Sequence, residues 1–137
     1  MVKLKVLVDT NIIIEKRNKL FNLLGSYDPI YSDLVLAEVM EVIRKNALEF
    51  LKKNKREVAN KYFAFGREFL KILYQQNVQL EYPNIKDFVE AFEVMKDKDV
   101  DAVDAILAVI AKRQGVNVLS NDKDWDRLKD YAKRVNV

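Results

Sequence analysis

The chain contains no cysteine and no histidine. Without cysteine it has no disulfide, no thiolate zinc site and no thiol nucleophile. Without histidine it has no Ser-His-Asp triad and no imidazole ligand, so proton transfer would fall to carboxylates, Lys, Tyr or a metal-bound water. Glycine is nearly as scarce. Gly25, Gly66 and Gly115 lie too far apart for a G-x-G-x-x-G or G-x-x-x-x-G-K loop, both of which wrap backbone closely around phosphates. No apolar run nears the roughly 20 residues of a membrane span. The first apolar stretch, Val6-Leu7-Val8, is cut by Asp9 and is too short for a signal-peptide hydrophobic region. The expectation is a soluble, cytoplasmic protein with no membrane partner.

What is present suits one core. Half of the 137 residues are hydrophobic, and the size is that of a single domain over 1–137. Leu4 to Val8 is a short apolar run ending at Asp9-Thr10-Asn11, which predicts a buried strand followed by a turn. Ile12 to Leu24 predicts a helix stopped by Gly25. Pro29 to Ser32 predicts a second strand, with Ser32 or Asp33 capping the next helix. From Arg44 to Lys71 the pattern stays helical, with a break near Asn54, and Val58, Tyr62, Phe65, Phe69 and Ile72 form an aromatic-rich stripe. Val78 to Tyr82, Val116 to Leu119 and Arg134 to Val137 read as strands; Ile85 to Met95, Ala102 to Arg113 and Trp125 to Tyr131 read as helices. Strands alternating with helices predict an α/β fold with a mostly parallel sheet covered on both faces.

Charge is unevenly spread. The whole chain is +3, yet residues 44–71 hold nine Lys and Arg against three acids, which leaves the remainder at −3. Lys52, Lys53, Lys55 and Arg56 are the densest basic cluster. They fit a nucleic-acid contact or an ordinary solvated helix surface.

In open parallel sheets, sites lie beyond the carboxyl ends of the strands. Asp9 closes the first strand, and Asp122 follows the Val116–Leu119 strand. Glu38 and Asp104 fall near helix starts, at the same edge. Each acid also has a plain structural reading: Asp9 as a helix cap, Glu38 as a solvated surface acid, Asp122 and Asp124 as a cap and a first-turn acid. Asp104 stands apart, because Ala102 to Ile110 is so apolar that little of that helix can face water. On a continuous helix Asp97, Asp101 and Asp104 would crowd three charges onto one face, unfavourably unless a cation or basic partner offsets them.

Val8-Asp9-Thr10-Asn11, the Ser32 to Glu38 segment, Val103 to Ala108 and Leu119 to Trp125 occur in order along the chain. Together they resemble the PIN domain, and the length is similar to VapC-type toxins of toxin-antitoxin pairs. The resemblance implies a three-layer α/β/α domain in which Asp9, Glu38 and Asp104 hold a divalent metal, with Asp122 as the fourth acid or Asp124 in its place. It matches Asn11 to the residue that steadies the first Asp, and Ser120 to one that lines the site. It implies a Mg²⁺- or Mn²⁺-dependent endoribonuclease acting through metal-activated water, with RNA as substrate and an antitoxin as partner. Hard cations and oxygen ligands suit a chain without His or Cys.

Two rivals remain. Acids at strand ends also occur in Mg²⁺-binding receiver-like regulatory modules, but these need a phosphate-accepting Asp at the end of a middle strand, and here the third strand ends at Glu81-Tyr82-Pro83. Structure-specific DNA nucleases of related fold usually carry additional helices. The resemblance also favours a two-fold homodimer, so the Val58 to Ile72 stripe is expected to be covered either by a second copy or by the chain's own core.

Overall fold

Leu4–Val8 forms the first strand, β1, in a computed structural model that describes residues 2–137. Its last three residues are fully buried, as a strand covered on both faces requires. Among the described residues β1 is the centre of five parallel strands. The others are β2 (Tyr27–Ser32), β3 (Leu80–Glu81), β4 (Asn117–Leu119) and β5 (Arg134–Val135), in the order β3-β2-β1-β4-β5. Val6 pairs with Pro29 on one side and Asn117 on the other. The chain moves outward from β1 to β3, then returns to the far side of β1. Right-handed crossovers therefore place α1 (Thr10–Lys16), α2 (Leu20–Leu24), α3 (Asp33–Lys52) and α4 (Arg56–Gln75) on one face. The return segment, α5 (Ile85–Lys98) and α6 (Ala102–Gln114), lies on the other. This is the α/β/α arrangement, and the sheet is wholly parallel rather than mostly so. β3 sits at its edge, so no third strand stands in the middle to carry a receiver's Asp.

Several boundaries depart from the sequence reading for identifiable reasons. The single helix predicted from Ile12 to Leu24 is broken at Arg17, whose φ is 33°. A 3-10 turn over Arg17–Lys19 follows. The Arg17 guanidinium lies 5.0 Å from the Tyr62 ring centroid on α4 and donates to the Tyr62 hydroxyl at 3.3 Å, so a tertiary contact holds the break. The outer strands are shorter than predicted, two residues each for β3 and β5, and the helix predicted over Trp125 to Tyr131 is a 3-10 turn over Lys123–Leu128. The break near Asn54 is as expected, with that residue left-handed at φ 57°.

The α4 stripe turns inward. Phe69 is buried, stacks on Phe65 at 6.0 Å and meets Tyr31 of β2 edge-on at 6.2 Å, while Tyr62 stacks on Phe50 of α3 at 5.7 Å. Tyr62, Phe65 and Phe69 of the stripe therefore pack within the chain. Gly66 allows this approach of α3 and α4, because a Cβ at that position would stand 2.8 Å from Ile43 Cδ1.

On the opposite face, Asp99 closes α5 in the left-handed conformation at φ 54°, and Asp101 caps α6 by accepting from the Asp104 N–H at 2.9 Å. Asp97, Asp101 and Asp104 thus do not share one helix. Asp87 is buried, completes a capping box with Asn84, and takes a two-pronged contact from Arg113 at 3.2 and 2.9 Å. That ion pair ties the start of α5 to the end of α6. No helix among the described residues is long and apolar enough to cross a membrane.

Candidate active site

The order of strands reverses at β1, so a crevice opens beyond the carboxyl ends of β1 and β4. Asp9 follows β1 and Ser120 follows β4, and the parallel register that pairs Val8 with Leu119 brings the two together. The Ser120 hydroxyl donates to Asp9 Oδ2 at 2.7 Å. The same oxygen accepts from the Asn11 amide at 3.2 Å and from the buried Trp125 indole N–H at 3.1 Å, while Oδ1 accepts from the Thr10 N–H at 2.8 Å. One carboxylate oxygen is thereby saturated, and the other keeps acceptor capacity.

Asn11 is itself fixed, donating to Ser120 Oγ at 3.1 Å and accepting from the Asn121 N–H at 3.1 Å. Ser120 Oγ also accepts from the Asp122 N–H at 3.0 Å. One hydroxyl and one amide therefore set the position of two acids from different loops.

The crevice is a cavity of about 290 Å³, and six of its lining residues are acids: Asp9, Glu15, Glu38, Asp101, Asp104 and Asp122. No Lys or Arg lines it among the described residues. Asp9, Glu38, Asp104 and Asp122 are gathered as the sequence reading expects. Asp124 is not: its N–H donates to Asp122 Oδ1 at 2.9 Å and its carboxylate lies 3.8 Å from Arg127, outside the lining. Glu15 and Asp101 are additions. Glu15 sits on α1 and accepts from the Asn121 side chain at 3.1 Å. Only the fold reveals it, because nothing in Ile13-Ile14-Glu15-Lys16 separates it from a surface acid. Trp125 had a visible signal, an aromatic residue in a polar loop, but its bond to Asp9 did not.

The electrostatics follow from this crowding. Burial raises the Asp104 carboxyl to about 8, helped by the charges of Asp9, Asp101, Asp122 and Glu38. Burial also raises Asp9, against the pull of its bonds to Ser120, Trp125 and Thr10. The Asp104 side chain accepts no hydrogen bond among the described residues. Mutual repulsion and missing donors make this donor set fit a hard divalent cation, which takes oxygen ligands and relieves like charge. Among the described residues no three of the acids stand closed around one ion position. Mg²⁺ retains several waters, so one or two direct carboxylates suffice for it.

Lys52, Lys53, Lys55 and Arg56 are not part of this site. All four are exposed at the α3–α4 turn. Lys52 lies 14 residues beyond Glu38 on α3, which at 1.5 Å per residue is roughly 20 Å from the cavity.

The pattern of the PIN domain matches residues 6–131, and the chain belongs to that family, whose members are generally nucleases. Three solved structures share the fold at low identity. PAE2754 from Pyrobaculum aerophilum is 16% identical with a TM-score of 0.71 over 96% of this chain and 84% of that one. VapBC2 from Rickettsia felis, bound to a DNA fragment from their promoter, is 16% identical with a TM-score of 0.61 over 97% and 98%. A toxin-antitoxin complex from Klebsiella pneumoniae is 15% identical with a TM-score of 0.53 over 88% and 89%. No curated protein matches the chain significantly.

Proposed function

We propose that the chain, acting as one nuclease domain over 1–137, is a Mg²⁺- or Mn²⁺-dependent endoribonuclease of the VapC type. The observation that carries this reading is the cavity of six acids without a basic neighbour. A divalent cation bound there supplies counter-charge to phosphate oxygens and a water of lowered pKa. Asp9 offers a fixed oxygen, because Asn11, Ser120 and Trp125 hold its carboxylate in one orientation. Asp104, Glu38 and Asp122 complete the donor set, and Asp122 takes its place through Ser120. Unneutralised, the same acids repel a nucleic-acid backbone, so affinity for substrate depends on the cation as well as on basic residues elsewhere. Lys52, Lys53, Lys55 and Arg56 are far enough away to touch RNA several nucleotides from the cleaved bond.

The fold shared with structures titled as toxin-antitoxin complexes favours a toxin held in check by an antitoxin protein. The test is cleavage of single-stranded RNA in Mg²⁺ or Mn²⁺, with a single-stranded DNA of the same sequence as control. Asp9→Asn and Asp104→Asn abolish RNA cleavage and blunt the rise in Tm that millimolar Mn²⁺ gives the parent protein. Full activity of both variants, or cleavage of DNA alone, overturns the reading.

A further inference from the structure

Four non-glycine residues have positive φ among the described residues. Three of them, Asn54, Asn77 and Asp99, have short polar side chains that tolerate it; the fourth is Arg17, at φ 33° and ψ −101°, where such a backbone is strained. Strain of this kind persists only where surrounding contacts over-determine it. Here they converge on the guanidinium. Nη1 donates to the Ile14 carbonyl, in the last turn of α1, at 3.2 Å and to the Tyr62 hydroxyl at 3.3 Å. The guanidinium carbon lies 5.0 Å from the Tyr62 ring centroid, and that ring stacks in turn on Phe50 at 5.7 Å.

Arg44, Arg113, Arg127 and Arg134 each face a carboxylate, whereas Arg17 has none among the described residues. Both Nη1 hydrogens are engaged, which leaves Nε and Nη2 of this exposed residue without a protein partner. That edge is the one that grips a phosphate or carboxylate with two parallel bonds, and the clamp on Nη1 has already restricted the side chain, so a ligand there costs little further ordering.

Ile14 lines the acidic cavity, so the fork stands one helical turn from that lining. On its other side Tyr62 and Phe50 belong to the basic α3–α4 pair, and Lys52 is two residues beyond Phe50. Arg17 therefore occupies the gap between the acids and the cluster of Lys52, Lys53, Lys55 and Arg56. Lys16 and Lys19 flank it, and no acid follows before Asp28.

We propose that the free edge of Arg17 anchors a phosphodiester group of a single-stranded RNA beside the bond presented to the acidic cavity, a role that rests on the nuclease reading and adds to it a binding residue. The positive charge continuing onto α3 and α4 suits a strand of evenly spaced phosphates better than one carboxylate of a protein partner.

The test is fluorescence anisotropy of a labelled single-stranded RNA in Mg²⁺, with the Asp9→Asn protein so that the strand stays intact. Adding Arg17→Ala weakens affinity at least about fivefold near 50 mM salt and lowers the slope of log affinity against log salt by roughly 0.7, the part of one phosphate contact on a single strand. Arg17→Lys keeps the charge and loses the fork, so it recovers the slope and only part of the affinity. Replacing each phosphate in turn by an uncharged methylphosphonate finds a linkage whose neutralisation weakens binding when Arg17 is present and changes nothing in Arg17→Ala. In the cleaving parent, Arg17→Ala raises KM and leaves kcat within about twofold. Circular dichroism verifies each fold; if the alanine variant is unfolded, Arg17→Gln, which keeps a donor for the Ile14 carbonyl, carries the same comparison. If the parent protein does not cut RNA, the nuclease reading fails and the inference with it. If the parent cuts RNA while loss of Arg17 changes neither affinity nor slope, or no linkage loses its sensitivity, the inference alone fails and the fork is left for a partner's carboxylate.

Discussion

α4 and α5 are both amphipathic, and both carry aromatic residues at helical spacing, yet they meet opposite fates. The stripe of α4 centres on Phe69, which is 1% exposed and packed between Phe65, Phe21 and Tyr31. The stripe of α5, formed by Ile85, Phe88, Val89 and Phe92, is open, and what α5 turns inward is Ala91, Val94 and the charged Asp87. Periodicity thus announces that a helix has an apolar face without saying what covers it. The decision lies in neighbours: α4 lies alongside α3 and reaches β2, whereas α5 packs mainly on α6.

Substitutions on the two helices should separate accordingly. The largest effect is expected at Phe69→Ala, which removes a ring from the middle of a three-aromatic contact and should cost about 3–5 kcal/mol in urea unfolding. Asp87→Ala comes next. It leaves Arg113 without its partner and the first turn of α5 without its capping box, at about 3 kcal/mol, and α5 amides should lose hydrogen-exchange protection before those of α4. Equal loss along both helices would show that the two layers do not differ in independence.

A smaller effect comes from the acid at the start of α6. Asp104 has an ordinary value of 3.8 and is raised to about 8 in the fold, so the native state binds this proton more tightly than the unfolded chain. Its contribution is fully favourable below pH 3.8, declines as pH climbs toward 8, and is flat above that. Without divalent metal, Asp104→Asn should therefore raise Tm at pH 8 by a few degrees, about 1 kcal/mol or more, and by much less at pH 5. The gain should appear as slower exchange in α6 and leave α4 unchanged. A Tm difference independent of pH would mean that Asp104 is not under strain. The smallest effect is expected at Val89→Ser, within about 0.5 kcal/mol for the dilute protein, because that side chain faces water in the single chain.

Much of the architecture was legible because it rests on local rules. The β1 run, the Ser32 cap, the break near Asn54 and the stop at Gly115, where φ is 66°, each follow from side-chain type and backbone sterics. The acids Asp9, Glu38, Asp104 and Asp122 were legible as candidates because parallel-sheet topology sends strand ends and helix starts to one edge. Asp124 and Glu15 were not separable from their neighbours in that way. Which of two acids in one loop turns inward depends on Ser120 Oγ receiving the Asp122 N–H, and Glu15 enters the cavity only because α1 and the β4 loop converge. The basic cluster was legible as a cluster, but its distance from the acids was not.

By itself, then, the sequence determined the alternation of strands and helices, the exclusion of thiol and imidazole chemistry, and the set of acids at one edge of a sheet. These depend on residue type and on spacings of two and 3.6, which are properties of a few neighbouring residues. Tertiary structure alone decided the break at Arg17, the burial of Asp87 against Arg113, the inward turn of the α4 stripe and the exposure of the α5 stripe. Each depends on contacts between residues far apart in the chain, such as Arg17 with Tyr62, and no local pattern encodes which distant surface arrives.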